Sequence, residues 1–232
     1  MILSTYQPFF APFPLFFMKA HLSSVMVILD DVQFPQRTTW LTRNRFKNDQ
    51  GILWLSIPVW RKGLGLQTIK DVRICSEGNW GRKHLASLKT SYANAPYLSE
   101  HLDFVREVFS GKFENLLDLN MSIIEYLKKR LMINTPVILQ SHLGIKAKGS
   151  QLLIEICRKM GSHDYVAQAS AKKYLNQELF SSAGISLHFF TPRPPIYPQL
   201  WGDFVYNLSA FDLLFACGPK SHEVLGLGTS LK

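Results

Sequence analysis

Apolar positions follow two rhythms along this chain, and the switches between them mark out an α/β layout. Residues 2–5 read as a short strand, and residues 25–29 are apolar at every position, as a strand covered on both faces must be. Between them the aromatic stretch 9–17 leads into a helix ending at about 21–24, so the first unit is strand, helix, strand. A right-handed crossover makes its two strands parallel neighbours. Residues 40–46 alternate, residues 51–59 form a strand stopped by Pro58, and residues 66–74 supply another alternating strand with Ile69, Val72 and Ile74 inward.

From Asn79, a plausible helix cap, the period becomes helical. Trp80, His84, Leu88 and Tyr92 recur at steps of four and share one face. Helices at about 99–109 and 113–131 follow, the second with a core-facing stripe of Leu116, Leu117, Met121, Ile124, Leu127 and Leu131. Alternation of strand and helix then resumes, with strands at 137–140, 165–167 and 185–190 and helices at 150–160 and 172–181. The proline-rich segment 191–198 is an irregular crossing or lid. A helix at 209–216 closes the chain, with Ser209 as N-cap, Asp212 at its third position and Gly218 beyond its end. The fold class is therefore α/β: one domain over residues 1–232, a mostly parallel or mixed sheet flanked by helices, and a helical subdomain at about 79–131.

Composition narrows the function classes. With 232 residues, 47% of them hydrophobic, the chain can bury a substantial core and is not disordered. A net charge of +9 favours an anionic partner, which admits a nucleotide sugar, RNA or tRNA. The basic residues are scattered, so solubility alone accounts for the excess equally well. Cys75, Cys157 and Cys217 lie far apart without a CxxC or a histidine pair, which argues against a metal centre and against a disulfide scaffold. Residues 1–18 imitate a signal peptide, but they lack a basic start and are interrupted by Pro8, Pro12 and Pro14. No apolar run approaches a membrane span, and the expected location is the cytoplasm.

Candidate chemistry gathers near the expected strand ends. Asp30 and Asp31 follow the apolar strand directly, at the carboxyl edge where open α/β sheets bind ligands. Adjacent carboxylates point to opposite sides, so one of them faces a given ligand and can hold a ribose or sugar hydroxyl pair, bind a magnesium ion or serve as base; the alternative is that they cap the loop and pair with Arg37 or Arg43. In an extended segment Arg43 and Arg45 share a face suited to phosphate, and Asn44 takes the other. His84 is placed either as a general base or as a core histidine beside Trp80. Gln7, held by Pro8, can present its amide at a strand end, as can Tyr197 and Gln199 beyond the proline-rich segment. The run Phe9, Phe10, Phe13, Phe16 and Phe17 reads as core rather than as a stacking platform. Glycine-rich phosphate loops, helix-turn-helix and RNA-recognition signatures are absent from the sequence.

The order of these blocks resembles the WbqC-like family, whose members occur among bacterial O-antigen and other surface-polysaccharide genes. The likeness rests on Gln7-Pro8 with Phe10 and Pro12, Lys19, Asp30-Asp31-Val32-Gln33, Trp40 with Arg43-Asn44-Arg45, Trp54-Leu55, Trp80 with Lys83-His84, Tyr92 with Ala95-Pro96-Tyr97, then Tyr197, Gln199 and Leu208-Ser209 with Asp212. Leu15, Ser24 and Gln168-Ala169-Ser170 depart from the pattern, the last by lacking glycine. The resemblance implies a transferase that adds glycine or another amino acid to an amino sugar on a nucleotide or lipid carrier. His84 or Asp30 would take the amine's proton, and Asn44 would serve as oxyanion partner. Gln7, Asp31, Gln33, Trp40, Arg43, Arg45, Trp80, Tyr197 and Gln199 would bind substrate in one composite pocket. No cofactor is implied beyond a nucleotide-activated substrate, and a magnesium requirement is left open. A noncatalytic basic nucleic-acid-binding or assembly module is the alternative, and a nucleotidyltransferase-like enzyme is the third reading.

Overall fold

The computed structural model describes residues 1–191 and 193–226. The chain runs β1 (Ile2–Tyr6), α1 (Pro14–His21) and β2 (Val25–Ile28), then an antiparallel hairpin of β3 (Arg43–Asn48) and β4 (Gly51–Ser56). Three helices follow: α2 (Trp80–Ser91), α3 (Leu102–Val108) and α4 (Leu116–Arg130). Alternation resumes with β5 (Val137–Leu139), α5 (Gly149–Met160), β6 (Asp164–Gln168), α6 (Gln177–Ser182) and β7 (Ser186–Phe190). The segment α7 (Ala210–Cys217) and α8 (Ser221–Gly226) completes the described residues.

All five strands of the main sheet are parallel, in the order β5-β2-β1-β6-β7. The connections wind away from β1 in both directions, which leaves a crevice at the carboxyl ends of β1 and β6, the usual ligand position in such sheets. Side chains alternate across the strands as the pleat requires. Tyr6, Met26, Ile28, Val166 and Phe190 face a large core shared with α1, α4 and α7, whereas Leu3, Val25, Val27, Tyr165 and Ala167 face α5 and α6. Leu88, Val105 and Ile123 of the helical stretch belong to the first of these cores, so α2 to α4 are joined to the sheet by continuous packing.

Several expected elements take another form. Residues 66–74 are not a strand: the backbone makes a 3-10 turn at Ile69–Asp71, because Ile69 N donates to Val32 O at 3.0 Å and Lys70 N to Asp30 O at 2.9 Å. Ile69, Val72 and Ile74 are nevertheless buried. The helix expected at 172–181 divides into a 3-10 turn, Ala169–Lys173, and the short α6, whose N-cap Asn176 accepts from Leu179 N. Likewise 99–109 begins as a 3-10 turn, Leu98–His101, before α3. The 209–216 helix is not the last element, since α8 follows it. Ser209 caps α7 as expected, accepting from Phe211 N, but Asp212 turns inward instead of closing a capping box.

Candidate functional site

Two asparagines fasten the hairpin onto the carboxyl edge of the sheet. The loop after β1 exposes backbone carbonyls that no strand can satisfy, and unpartnered buried carbonyls are costly. Asn44, fully buried on the inner face of β3, donates through its amide to Phe10 O at 3.0 Å and Ala11 O at 2.7 Å. Asn120 of α4 donates to Pro8 O at 2.7 Å and Leu41 O at 2.8 Å. Both amide hydrogens of Asn44 are thereby spent, and its oxygen accepts from Arg45 N. It is a tie between loop and hairpin, and it has no donor left for an oxyanion.

The outer face of the hairpin carries the expected arginine pair, with stacking partners that complete it. Arg43 lies over the Trp54 ring at 3.6 Å from its centroid, and Trp54 lies 5.7 Å from Trp40. Arg45 reaches toward Trp40 at 5.6 Å, but its guanidinium also donates to Tyr206 O and Asn207 O. Arg43 makes no ion pair among the described residues. Thr38, Thr39, Trp40, Arg43 and Trp54 enclose a cleft of about 320 Å³. An aromatic relay connects this cleft to the sheet: Trp40 meets Phe13 edge-on at 6.0 Å, Phe13 meets Phe9 at 5.9 Å, and Phe9 meets Tyr6 at 5.7 Å. Phe10, Phe16 and Phe17 are core, as expected, while Phe9 and Phe13 are half-buried links in this relay.

Asp30 and Asp31 do point apart at the end of β2. Asp30 is fully buried and accepts from Ser141 N at 2.9 Å, which ties β2 to the turn after β5. Its second oxygen has no partner among the described residues. Asp31 pairs with Lys70 at 2.7 Å and Lys146 at 3.0 Å rather than with Arg37 or Arg43. The Lys70 hydrogen bond, with Lys146 assisting, holds the Asp31 carboxyl below the usual carboxylate range.

The remaining candidates lie elsewhere, so the twelve do not gather in one pocket. His84 sits at the outer edge of β4, with Nε2 2.8 Å from Ser56 O, and its ring meets Trp80 and Phe109. Burial pushes the imidazole pKa down, so it is neutral at neutral pH. Ser56 is the register partner of Arg43, which puts His84 across one strand from the cleft. Gln199 is used up on the backbone, accepting from Val205 N and donating to Val205 O, and it also accepts from Lys47 Nζ. Tyr197 is buried beside Asp212, whose carboxylate accepts from Tyr92 Oη at 2.7 Å. Gln7 lies directly beyond β1, half-buried, and Gln33 is exposed and bridges to Thr68.

Three features of the site had no place among the sequence candidates. Trp54 was legible as a strand residue and as part of the family pattern but not as a site residue, since stacking on Arg43 depends on the register across the hairpin. Lys47 and Tyr92 form a buried polar core under the hairpin, with Lys47 N donating to Tyr92 Oη at 2.9 Å. Lys19 of α1 is buried without a carboxylate: Nζ donates to Thr5 O at 2.8 Å and stands 3.8 Å from the Tyr6 ring centroid. Burial lowers its pKa to about 7. Lys19 therefore supports β1 just before the chain turns at Gln7.

No group of three or more His, Cys, Asp or Glu side chains is placed to hold a metal ion, and no helix is long and apolar enough to cross a membrane, among the described residues. The WbqC-like protein family is matched by residues 7–224. The chain is also similar to "Uncharacterized protein Rv1507c" of Mycobacterium tuberculosis (strain ATCC 25618 / H37Rv), 28% identical over 201 residues that cover 86% of each protein. No solved structure matches the chain.

Proposed function

Since the chain belongs to the WbqC-like protein family, we propose that it binds a nucleotide-activated amino sugar at the hairpin cleft and serves as a transferase of surface-polysaccharide assembly. The observation that carries this reading is the Arg43 guanidinium stacked at 3.6 Å on an exposed Trp54, beside the carboxyl edge of a doubly wound sheet. A flat guanidinium with no ion-pair partner suits phosphate, and the neighbouring indoles suit a base or sugar ring. Transfer of glycine or another amino acid to the sugar amine is the reaction this reading assigns to the protein. The amine nitrogen attacks the activated carbonyl carbon, and the new C–N bond forms as the bond to the leaving group breaks. The leaving group departs with its electron pair, and the amine proton passes to a base. Neutral His84, one strand away from Arg43, is the proton acceptor in this reading.

The test is a thermal-shift and calorimetric screen of nucleotide sugars against the full chain. Binding by the wild type that is lost in Arg43→Ala and Trp54→Ala supports the assignment, and binding that survives both variants sinks it. The half-buried Arg43 stacked on the exposed Trp54 also favours a second reading, a nucleic-acid-binding module that stacks single-stranded RNA. RNA binding that falls by orders of magnitude between low and moderate salt, without nucleotide-sugar binding, would select that reading.

A further inference from the structure

A cleft of about 670 Å³ lies apart from the hairpin cleft and shares no residue with it. It opens where the strand extension after β4, the first turn of α2 and the loop after α3 converge, and it has the volume of a small-molecule site. One wall is Trp60, a large aromatic left 40% exposed, and Phe113, Phe109 and Trp80 also line it. Trp80 is fixed in orientation, because its indole N–H donates to Cys75 O at 3.0 Å.

The charge in this cleft is unbalanced. Glu114 is matched by Arg73 at 2.9 Å, which leaves Arg82 as a surplus cation with no ion pair among the described residues. The same wall carries the start of α2, where Asn79 occupies the cap position but its side chain accepts nothing from the first turn. Gly81 lets this turn lie against the end of α3: a Cβ there would stand 2.4 Å from Phe109 O. The amides of the first turn add a partial positive charge to that of Arg82.

We infer that this cleft is a second binding site, taking a phosphate monoester whose body is a ring. The phosphate pairs with Arg82 and the first turn of α2, and the ring packs on Trp60. The body of the ligand is either a nucleoside or a sugar, two sources of one chemistry. The inference does not rest on the hairpin reading.

Trp60 and Trp80 contribute to intrinsic fluorescence together with Trp40, Trp54 and Trp201, so a fluorescence change is assigned to this cleft through the variants below. Uridine monophosphate, glucose 1-phosphate and inorganic phosphate are titrated into the full chain, with calorimetry as the second readout. One of the two ring phosphates binds at least ten-fold tighter than inorganic phosphate, and which one it is identifies the body. In the Arg43→Ala background, which silences phosphate binding at the hairpin, the ring phosphate still binds, and there Arg82→Gln weakens it about ten-fold and Trp60→Ala at least five-fold. Circular dichroism and the melting temperature of both cleft variants stay at wild-type values, since the two side chains are on the surface. The inference is overturned if no ring phosphate binds at millimolar concentration, or if inorganic phosphate binds equally well. It is also overturned if Arg82→Gln and Trp60→Ala leave binding in that background unchanged, or if Arg43→Ala abolishes binding, which would move the ligand to the hairpin.

Discussion

The side-chain amide of Asn44 donates to Ala11 O at 2.7 Å, and Ala11 is a residue other than glycine held at φ +41°. The hairpin thus fixes a backbone turn that the loop would not keep alone. Asn44→Ala strands two buried carbonyls, at about 1–3 kcal/mol each. The expected loss is about 3 kcal/mol, or roughly 6–12 °C in melting temperature by calorimetry. A variant that melts within a degree of wild type would show that water replaces the amide.

Arg43 and Arg45 differ in role despite sharing a face. Arg45 donates to Tyr206 O and Asn207 O, so Arg45→Ala should lower the melting temperature and increase hydrogen exchange around residues 205–208. Arg43 makes no such bond to the backbone. Arg43→Lys should leave stability within about 0.5 kcal/mol and remove nucleotide-sugar binding, because an ammonium neither stacks as a plane nor forks onto phosphate.

Lys19 makes stability depend on pH in a defined direction. Its folded pKa, about 7, is below the ordinary 10.5, so between these values the unfolded chain binds more protons than the folded one. Stability therefore rises with pH through this window, by about 2 kcal/mol from pH 7 to pH 9, and is smallest below pH 7. Lys19→Met should flatten that slope in urea unfolding at the two pH values. His101 extends the acid sensitivity: burial and nearby Arg130 lower its pKa to about 4, so folding is further disfavoured as pH falls from 6.5 toward 4. An unchanged slope in Lys19→Met would place the dependence on other groups.

Tyr92 is the donor that a buried carboxylate depends on. Asp212 is 2% exposed, burial raises its pKa, and Tyr92 Oη reaches it at 2.7 Å. Tyr92→Phe keeps the ring contact with Phe215 and removes the donor, at an expected cost of about 3 kcal/mol. Chemical denaturation measures it, and a loss below about 1 kcal/mol would assign the carboxylate to Tyr197 instead.

Gly218 should tolerate no side chain. Its φ is +52°, and a Cβ would lie 2.4 Å from the Tyr97 ring. Gly218→Ala is expected to cost about 2–4 kcal/mol, from strain and overpacking together. Tyr97→Ala in the same chain should recover part of it, and additive losses would refute the contact as the cause.

What the sequence made legible follows from how local each determinant is. The strand at Val25–Ile28 and the carboxylates after it could be read directly, because burial on both faces leaves an unbroken apolar run. The burial of Ile69, Val72 and Ile74 was legible too, but not their backbone, which is set by carbonyls of Val32 and Asp30 far back in the chain. For the same reason Asp31 finds Lys70 and Lys146 rather than the nearer arginines. Asn44 shows the limit most clearly: residue type and position on β3 suggested a group facing ligand, and only the fold reveals that its amide is consumed by the loop beneath.

The central place of β1 has a consequence for how the molecule is made. Its partner on one side, β2, is synthesised soon after it, but its other partner pairs Ile2 with Asp164 and Ser4 with Val166. During translation the unpaired backbone edge of β1 stays open until most of the chain has left the ribosome, and such non-local pairing is slow. The nascent chain is thus expected to spend its longest exposed interval as a half-sheet, and trigger-factor-like holding should raise its yield more than it raises that of proteins whose first strand lies at a sheet edge.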